Sequence, residues 1–295
     1  MADPVVRYPD SAGMHGGRNN VSGSESGADA PSPAVPERDA GFARYPSLSG
    51  KVVLVTGGAT GIGASIVEHF AAQDARVAFI DIERGAGEGL AAALKAAGGT
   101  EPLFVPCDLR DVGALRDAVA RVAAHFGPVT VLINNAANDQ RHRPEDTTVD
   151  DWDDRMAVNL RPMFFAAQAV APGMREAGGG SIVNFGSITW MLGQGGMPAY
   201  TTAKAAVHGL TRGLARDWGP WRIRVNTVSP GWVMTERQLR LWMTEEGERE
   251  RRAGQCLPDR LHPPDVARLV LWLTADDGRM VTAQNFLVDG GWANG

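Results

Sequence analysis

Short apolar runs recur along the chain from residue 51 onward, separated by longer segments in which apolar residues follow a helical spacing. The runs are rich in Val and Ile and are apolar at consecutive positions, which is typical of strands buried on both faces of a parallel sheet. They cover residues 52–55, 77–80, 103–105, 129–133, 182–185, 223–228 and 286–288. The helical segments cover residues 64–73, 84–97, 112–126, 152–176, 200–218 and 264–275.

Strands that alternate with helices over some 240 residues predict βαβ units, an α/β fold with helices on both faces of a parallel sheet. We assign this domain to residues 41–295. One segment, about 236–260, interrupts the alternation with a balanced mixture of Glu and Arg. It is either a solvated helical insertion or a lid over a substrate site, and the sequence slightly favours the lid.

The first 40 residues have a different composition from the rest of the chain. They contain no Leu, Ile, Phe or Trp and consist mainly of Ser, Gly, Pro and Ala with scattered charges. Such a segment cannot bury enough apolar surface to offset its loss of conformational entropy on ordering. We therefore predict that residues 1–40 are a disordered extension outside the domain.

Composition and charge narrow the class of protein. With 295 residues, 44% hydrophobic and 21% charged, the chain is of ordinary globular composition, and its net charge of −5 argues against a nucleic-acid or anionic-membrane partner. No apolar run approaches the roughly 18 residues that a membrane span needs, and no secretory signal is visible, so we expect a cytoplasmic protein. Two cysteines, Cys107 and Cys256, are too few for a disulfide framework or a metal cluster, so we expect no metal site.

A glycine-rich turn follows the first predicted strand and leads into a helix. The turn reads Thr56-Gly57-Gly58-Ala59-Thr60-Gly61-Ile62-Gly63. A strand, a glycine turn and a helix N-terminus can bring backbone N–H groups against a pyrophosphate, although such a turn often serves only close packing.

An acid, Asp81, ends the second predicted strand, 18 residues after Gly63. From there a carboxylate can hydrogen-bond the adenosine ribose of a dinucleotide, the alternative being a helix cap or a surface acid. A carboxylate would repel the extra phosphate of NADP, and Thr60 in the turn is not basic. The sequence therefore favours NAD as the cofactor.

Three side chains suggest proton-transfer chemistry. Ser187 follows the strand at 182–185, and Tyr200 and Lys204 are four residues apart on the next helix, so the phenol and the ammonium share one helical face. A Tyr–Lys pair alone is usually a surface neighbour pair. Here the serine lies at the carboxyl end of a strand, where open parallel sheets bind ligands.

Taken together, these motifs resemble the short-chain dehydrogenase/reductase family over residues 51–292. The resemblance rests on Thr56-Gly57-x-x-x-Gly61-Ile62-Gly63, Asn134-Asn135-Ala136, Asn159, Ser187, Tyr200-x-x-x-Lys204 and Pro230-Gly231-x-x-x-Thr235. It implies one doubly wound Rossmann-type domain with a seven-stranded parallel sheet, a nicotinamide cofactor and a homodimer or homotetramer. One departure is Ala137, where the family usually has Gly.

The resemblance also implies a set of site residues. The catalytic residues would be Asn159, Ser187, Tyr200 and Lys204, with Asn159 holding a water between Lys204 and bulk solvent. Asp108 would contact adenine, and Asn135 would lie beside the adenosine ribose. The cofactor-binding residues would be Gly57, Thr60, Gly61, Ile62, Gly63, Asp81, Ile82, Asp108, Leu109, Asn135, Ala136, Tyr200, Lys204, Pro230, Gly231, Val233 and Thr235.

The expected chemistry is proton abstraction coupled to hydride transfer. A tyrosine of pKa about 10 is a poor base at neutral pH, so we expect Lys204 and the positive nicotinamide ring to lower that pKa. Tyr200 would then take the hydroxyl proton of the substrate while Ser187 holds the same oxygen. Pro162 lacks the N–H that would pair with the carbonyl of Val158, so the helix should loosen beside Asn159.

Within the family, the chain resembles NAD-dependent aldose 1-dehydrogenases of the xylose type. The matching stretches are Tyr45–Leu48, Asn138–His142, Asn184–Ile188 with Trp190, Gln255–Leu257 and Asp289–Trp292. Asn138 and Trp190, with Ser187 and Tyr200, would contact the sugar, because sugars need directional hydrogen bonds and a flat apolar face. Without the resemblance, Asn138–His142 would be a solvated loop with an idle His142, and Trp190 a packing residue.

Two other hypotheses stay open. The chain could be another reductase of the family, acting on an acyl thioester, a steroid or a sugar acid, although Asp81 counts against the NADPH-dependent biosynthetic cases. It could also be a non-catalytic dinucleotide sensor or scaffold, a reading disfavoured because Asn159, Ser187, Tyr200 and Lys204 are all present.

Overall fold

Seven strands form one all-parallel sheet in the order β3-β2-β1-β4-β5-β6-β7, in a computed structural model that describes residues 42–293. The strands are β1 (Val52–Thr56), β2 (Arg76–Asp81), β3 (Leu103–Pro106), β4 (Val131–Asn134), β5 (Gly180–Phe185), β6 (Ile223–Pro230) and β7 (Asn285–Val288). Every predicted apolar run falls on one of them, and the predicted fold class is confirmed. The prediction for residues 1–40 lies outside the described residues.

Helices connect the strands and cover the sheet. They are α1 (Gly61–Ala72), α2 (Arg84–Ala96), α3 (Val112–Phe126), α4 (Val149–Asn159), α5 (Arg161–Glu176), α6 (Pro198–Trp218), α7 (Glu236–Leu241), α8 (Glu245–Gly254) and α9 (Pro263–Thr274). None of the helices between residues 42 and 293 is long and apolar enough to cross a bilayer.

Strand β1 explains why the apolar runs are continuous rather than alternating. All five of its residues are buried. Val53 and Val55 face a core packed by α1, α2 and α9, whereas Val52 and Leu54 face a second core packed by α3, α5 and α6. Successive side chains point to opposite faces, so a strand covered on both faces needs an apolar residue at every position.

The predicted helix over 152–176 is two helices. α4 ends at Asn159 and α5 begins at Arg161, with Leu160 between them at φ −133° and ψ −54°. Pro162 occupies the first turn of α5, where its missing N–H costs nothing. The expected loosening beside Asn159 is therefore confirmed, and it amounts to a complete break.

A run of side-chain hydrogen bonds crosses the interior between β4, β5, β6 and α6. Asn134 donates to Asn184 at 2.9 Å, Asn184 donates to Thr211 at 3.0 Å, and the hydroxyls of Thr227 and Thr211 are 2.8 Å apart. All four residues are at most 2% exposed. The run joins three strands to the helix that carries Tyr200 and Lys204.

Candidate active site

A cleft of about 1200 Å³ opens at the carboxyl ends of the strands. It lies where the strand order reverses: β1 pairs with β2 on one side and with β4 on the other. Open α/β sheets bind ligands at such a switch point. All seventeen predicted cofactor-binding residues line this cleft, from Gly57 in the glycine turn to Thr235 after β6.

The glycine turn is closed so tightly that side chains are excluded from it. Gly57 and Gly61 adopt positive φ values of 65° and 57°. A Cβ on Gly63 would lie 1.8 Å from the carbonyl oxygen of Gly57. α1 starts at Gly61, so the first amides of the helix have no intrahelical partner and can bind an anion. The turn therefore fits the pyrophosphate of a dinucleotide.

Asn135 fixes the turn to the end of β4. Its Nδ2 donates to the carbonyl oxygens of Thr56 at 3.1 Å and Gly57 at 2.8 Å. Its backbone N–H donates to the hydroxyl of Thr56 at 3.1 Å. The amide side chain thus has a structural task here, and its predicted place beside the ribose stays a prediction.

The Asp81 carboxylate is held at the rim of the cleft by two backbone amides. Oδ2 accepts from the N–H of Ala59 at 2.9 Å, and Oδ1 accepts from the N–H of Glu83 at 3.0 Å. The first bond joins the acid to the glycine turn. Each oxygen keeps a lone pair for a hydroxyl donor, so the ribose role fits this geometry, whereas the N-cap of α2 is Glu83 and not Asp81.

Asp108 and Leu109 line the cleft after β3. The Asp108 carboxylate pairs with Arg110 at 2.6 Å, and Arg110 also pairs with Asp154 at 2.9 Å. The hydrogen bond from Arg110 lowers the pKa of Asp108. The acid therefore stays ionised and orients the guanidinium, while its predicted contact with adenine stays a prediction.

Ser187, Tyr200 and Lys204 meet on the floor of the cleft. Ser187 follows β5, and its hydroxyl accepts from the N–H of Thr189 at 3.3 Å and is close enough to the phenol of Tyr200 to oppose the rise of its pKa. Lys204 is 1% exposed, and its Nζ donates to the carbonyl oxygen of Phe185 at 2.8 Å. The same Nζ lies 5.6 Å from the centre of the Tyr200 ring. Three of the four predicted catalytic residues are therefore brought together.

Burial shifts the pKa values of both Tyr200 and Lys204. It raises the pKa of Tyr200 to about 12, with a further rise from the negative charge of Asp139. Burial also lowers the pKa of Lys204 to about 7, and Asp139 opposes that shift. Burial therefore dominates the pKa values of both side chains, and the predicted lowering of the phenol pKa by Lys204 together with a positive nicotinamide ring stays a prediction.

Asn159 lies behind the cleft rather than in its lining. It is fully buried, its Oδ1 accepts from the N–H of Asn138 at 2.8 Å, and its Nδ2 donates to the Asn138 carbonyl at 3.1 Å. Nδ2 also donates to the backbone carbonyl oxygen of Arg155 at 3.0 Å. Asn159 thus holds the backbone of Asn138, which does line the cleft. The water that Asn159 is predicted to hold between Lys204 and bulk solvent stays a prediction.

Trp190 is not brought to the site. Its indole Nε1 donates to Nε2 of His208 at 3.2 Å, the two rings meet edge to face at 4.9 Å, and Trp190 is absent from the cleft lining. The packing interpretation describes it better than the predicted sugar contact. Three other tryptophans line the cleft instead: Trp232, Trp242 and Trp292.

The segment 236–260 borders the cleft through α7, and the loop after β4 ties it down. Asp139 Oδ2 accepts from Gln238 at 2.7 Å, and Asp139 Oδ1 lies 3.4 Å from Arg237. Trp232 donates to Gln238 Oε1 at 3.0 Å. Asp139 lies in the matching stretch Asn138–His142, but the sequence assigned it no role of its own and did not point to Gln238, which is 99 positions away.

His142 is not idle. Its Nε2 accepts from the N–H of Ala199 at 3.1 Å, so Nδ1 carries the ring hydrogen and faces the Gln140 carbonyl at 3.1 Å. Ala199 is the second residue of α6 and precedes Tyr200. The imidazole therefore caps the helix that carries the phenol, and burial lowers the pKa of His142.

Comparison with known proteins adds to this geometry. A family profile described as "Enoyl-(Acyl carrier protein) reductase" matches residues 57–293. The chain is 48% identical to the D-xylose 1-dehydrogenase of Caulobacter vibrioides, over 84% of this chain and 98% of that protein. It is also 48% identical to the probable galactose dehydrogenase GalD of Rhizobium meliloti, over 84% and 97%.

Solved structures agree with the fold. A Serratia marcescens short-chain dehydrogenase/reductase mutant matches with a TM-score of 0.77 and 34% identity, over 84% of this chain and 99% of that one. A blue fluorescent protein from a metagenomic library, solved in complex with NADPH, matches with a TM-score of 0.77 and 36% identity, over 84% and 99%.

Proposed function

Because the chain belongs to the short-chain dehydrogenase/reductase family, we propose that it oxidises the anomeric carbon of a free aldose with NAD and yields the aldonolactone. D-xylose or a related pentose is the first candidate substrate, and galactose is the second. The general class of activity, that of a sugar dehydrogenase acting on a CH–OH group, is supported by the two relatives at 48% identity.

The observation that carries the proposal is the meeting of Ser187, Tyr200 and Lys204 in a cleft that fits a dinucleotide. Ser187 donates to the oxygen of the reacting hydroxyl and fixes it beside the phenol. Tyr200 accepts the hydroxyl proton at Oη as the carbon–hydrogen bond at the same centre breaks. A bound nicotinamide supplies the acceptor for the hydrogen and its electron pair.

Lys204 acts on the phenol through charge. With the pKa of Tyr200 raised to about 12, the phenolate needs positive charge close by. Lys204 offers one such charge when protonated, and a cationic nicotinamide would add another. Because the pKa of Lys204 is lowered to about 7, the charge of the nicotinamide becomes the more important one at alkaline pH, where rates should rise as Tyr200 ionises.

Asp81 supports NAD over NADP. Its carboxylate is fixed at the rim of the cleft beside the glycine turn, where an added phosphate on the ribose would meet a negative charge. The structural neighbour was solved with NADPH, so the fold alone does not favour NAD and the preference rests on this one acid.

The anomeric hydroxyl suits the proposed base because it is more acidic than an ordinary alcohol. Its oxidation gives a lactone, whose hydrolysis draws the reaction forward. NADH formation at 340 nm, measured over pentoses, hexoses, simple alcohols and hydroxy acids, tests the proposal. We expect free aldoses to react and their methyl glycosides to be inert. A methyl glycoside oxidised as fast as the free sugar would place the reacting carbon elsewhere on the ring.

A further inference from the structure

A carboxylate with no task in the proton transfer lies in the same cleft. Asp139 lines it together with Ser187 and Tyr200, and its side chain is 21% exposed. Its negative charge raises the pKa of Tyr200, which works against the formation of the phenolate. Because this charge hinders the catalytic base, we expect Asp139 to have another function in the same cleft.

The contact with α7 does not require a charge. Gln238 donates one hydrogen bond to Oδ2, and an uncharged amide oxygen would accept the same bond. Arg237 is half exposed, and its ion pair at 3.4 Å is of the kind that stabilises proteins little. The contact therefore explains the position of Asp139 but not its charge.

A carboxylate is well suited to bind hydroxyl groups. Each of its oxygens has two lone pairs, and Gln238 and Arg237 each approach one oxygen. The remaining lone pairs can accept two hydroxyl hydrogens in charge-assisted bonds, which are stronger than bonds between neutral groups. Trp232, which holds Gln238, lines the same cleft and offers an apolar face.

We propose that Asp139 is a specificity-determining residue whose carboxylate accepts hydrogen bonds from hydroxyls of the sugar other than the one being oxidised. This inference rests on the proposed function, because it assumes a polyhydroxylated substrate. The Gln238 contact fixes the carboxylate before the substrate arrives, so little freedom is lost on binding.

The charge of Asp139 gives a second readout. The ionisable groups in its electrostatic surroundings come from α6, its own loop and α7: Tyr200, Lys204, Arg141 and Arg237. Asp139→Asn removes one negative charge, so the pKa values of Tyr200 and Lys204 should both fall. The pH profile of kcat/KM should therefore move as a whole to lower pH.

The test compares Asp139→Asn with Asp146→Asn, which neutralises an exposed acid outside the cleft lining. In Asp139→Asn we expect the KM for aldose to rise about tenfold or more, as for the loss of one charge-assisted bond. The KM for NAD should change less than about twofold, and the pH profile should shift downward. Asp146→Asn should match the wild type in all three measurements.

Monodeoxy sugars locate the contact. One deoxy analogue should lose about tenfold in kcat/KM with the wild type and almost nothing with Asp139→Asn, because the bond is already absent. Equal losses in both proteins for every analogue, or an unchanged KM for aldose, would overturn the inference while leaving the proposed function intact. Failure of the wild type to oxidise any aldose would overturn both.

Asp139→Glu keeps the test decisive if the amide variant folds poorly. It retains the charge and displaces it by one methylene, so the pH profile should stay in place while the KM for aldose and the preference among epimers change. Melting temperature and NAD binding by tryptophan fluorescence report whether each variant is folded. An unchanged epimer preference in a folded Asp139→Glu variant would count against a sugar contact.

Discussion

Replacing His142 with Phe should destabilise the start of α6 while keeping a ring of similar size. The imidazole Nε2 is the acceptor for the backbone N–H of Ala199, at 3.1 Å. Ala199 is fully buried, so water cannot replace that acceptor. The substitution therefore leaves one amide unpaired at the N-terminus of the helix that carries Tyr200.

The size of the effect follows from this one bond. Loss of a helix cap costs about 1 kcal/mol, and an unpaired buried donor costs about 1–3 kcal/mol. We expect the free energy of unfolding of His142→Phe to be about 1–2 kcal/mol lower at pH 8. For a domain of this size the melting temperature should fall by about 2–6 °C. Because Tyr200 follows Ala199, kcat should also fall. The factor by which kcat falls should exceed the factor by which the KM for NAD changes.

The difference between wild type and variant should depend on pH. Burial lowers the pKa of His142 in the folded protein below its usual value of about 6.5. Only the neutral ring accepts the Ala199 hydrogen, so the stabilisation is present above about pH 6.5 and is lost as pH falls through the lowered folded pKa. Urea unfolding at pH 8, 6.5 and 5 measures this difference. The free energies of unfolding of the wild type and of His142→Phe should converge at acid pH. A difference that is the same at all three pH values would refute the capping role of the neutral ring.

Three further substitutions test the rest of the site. Tyr200→Phe should reduce kcat by at least about 100-fold with NAD binding retained in a fluorescence titration, because only the proton acceptor is lost; near-normal turnover would assign the base elsewhere. Asp81→Ala should weaken NAD binding and reduce the ratio of kcat/KM with NAD to kcat/KM with NADP. A wild type with the higher kcat/KM for NADP would contradict the role of this acid. Gly63→Ala places a methyl 1.8 Å from the Gly57 oxygen, so the turn must open and the Kd for NAD should rise about tenfold or more; an unchanged Kd would show that the turn does not hold the dinucleotide.

Most of the fold could be predicted from the sequence because each element has a local cause. Continuous apolar runs follow from strands covered on both faces, as β1 shows, and the break at Leu160 follows from the chemistry of Pro162. The glycine turn and the Tyr200–Lys204 pair are equally local, since both depend on spacing within one loop or one helix.

The remaining features depend on tertiary contacts. The alternation of side chains along a strand does not predict where a side chain points beyond the end of that strand. Trp190, which follows β5, hydrogen-bonds His208 instead of lining the cleft. Asp139 meets Gln238 only after the chain has folded. The raised pKa of Tyr200 depends on burial, and spacing along a helix carries no measure of burial.

The buried polar run from Asn134 through Asn184 and Thr211 to Thr227 limits how this chain can evolve. An apolar replacement of any one member leaves its neighbour with an unmatched donor or acceptor in a dry interior, at about 1–3 kcal/mol. Replacing the members together avoids that penalty, but it requires several mutations in one lineage with unstable intermediates between them. A descendant that lost Tyr200 and its activity would therefore still keep this polar run.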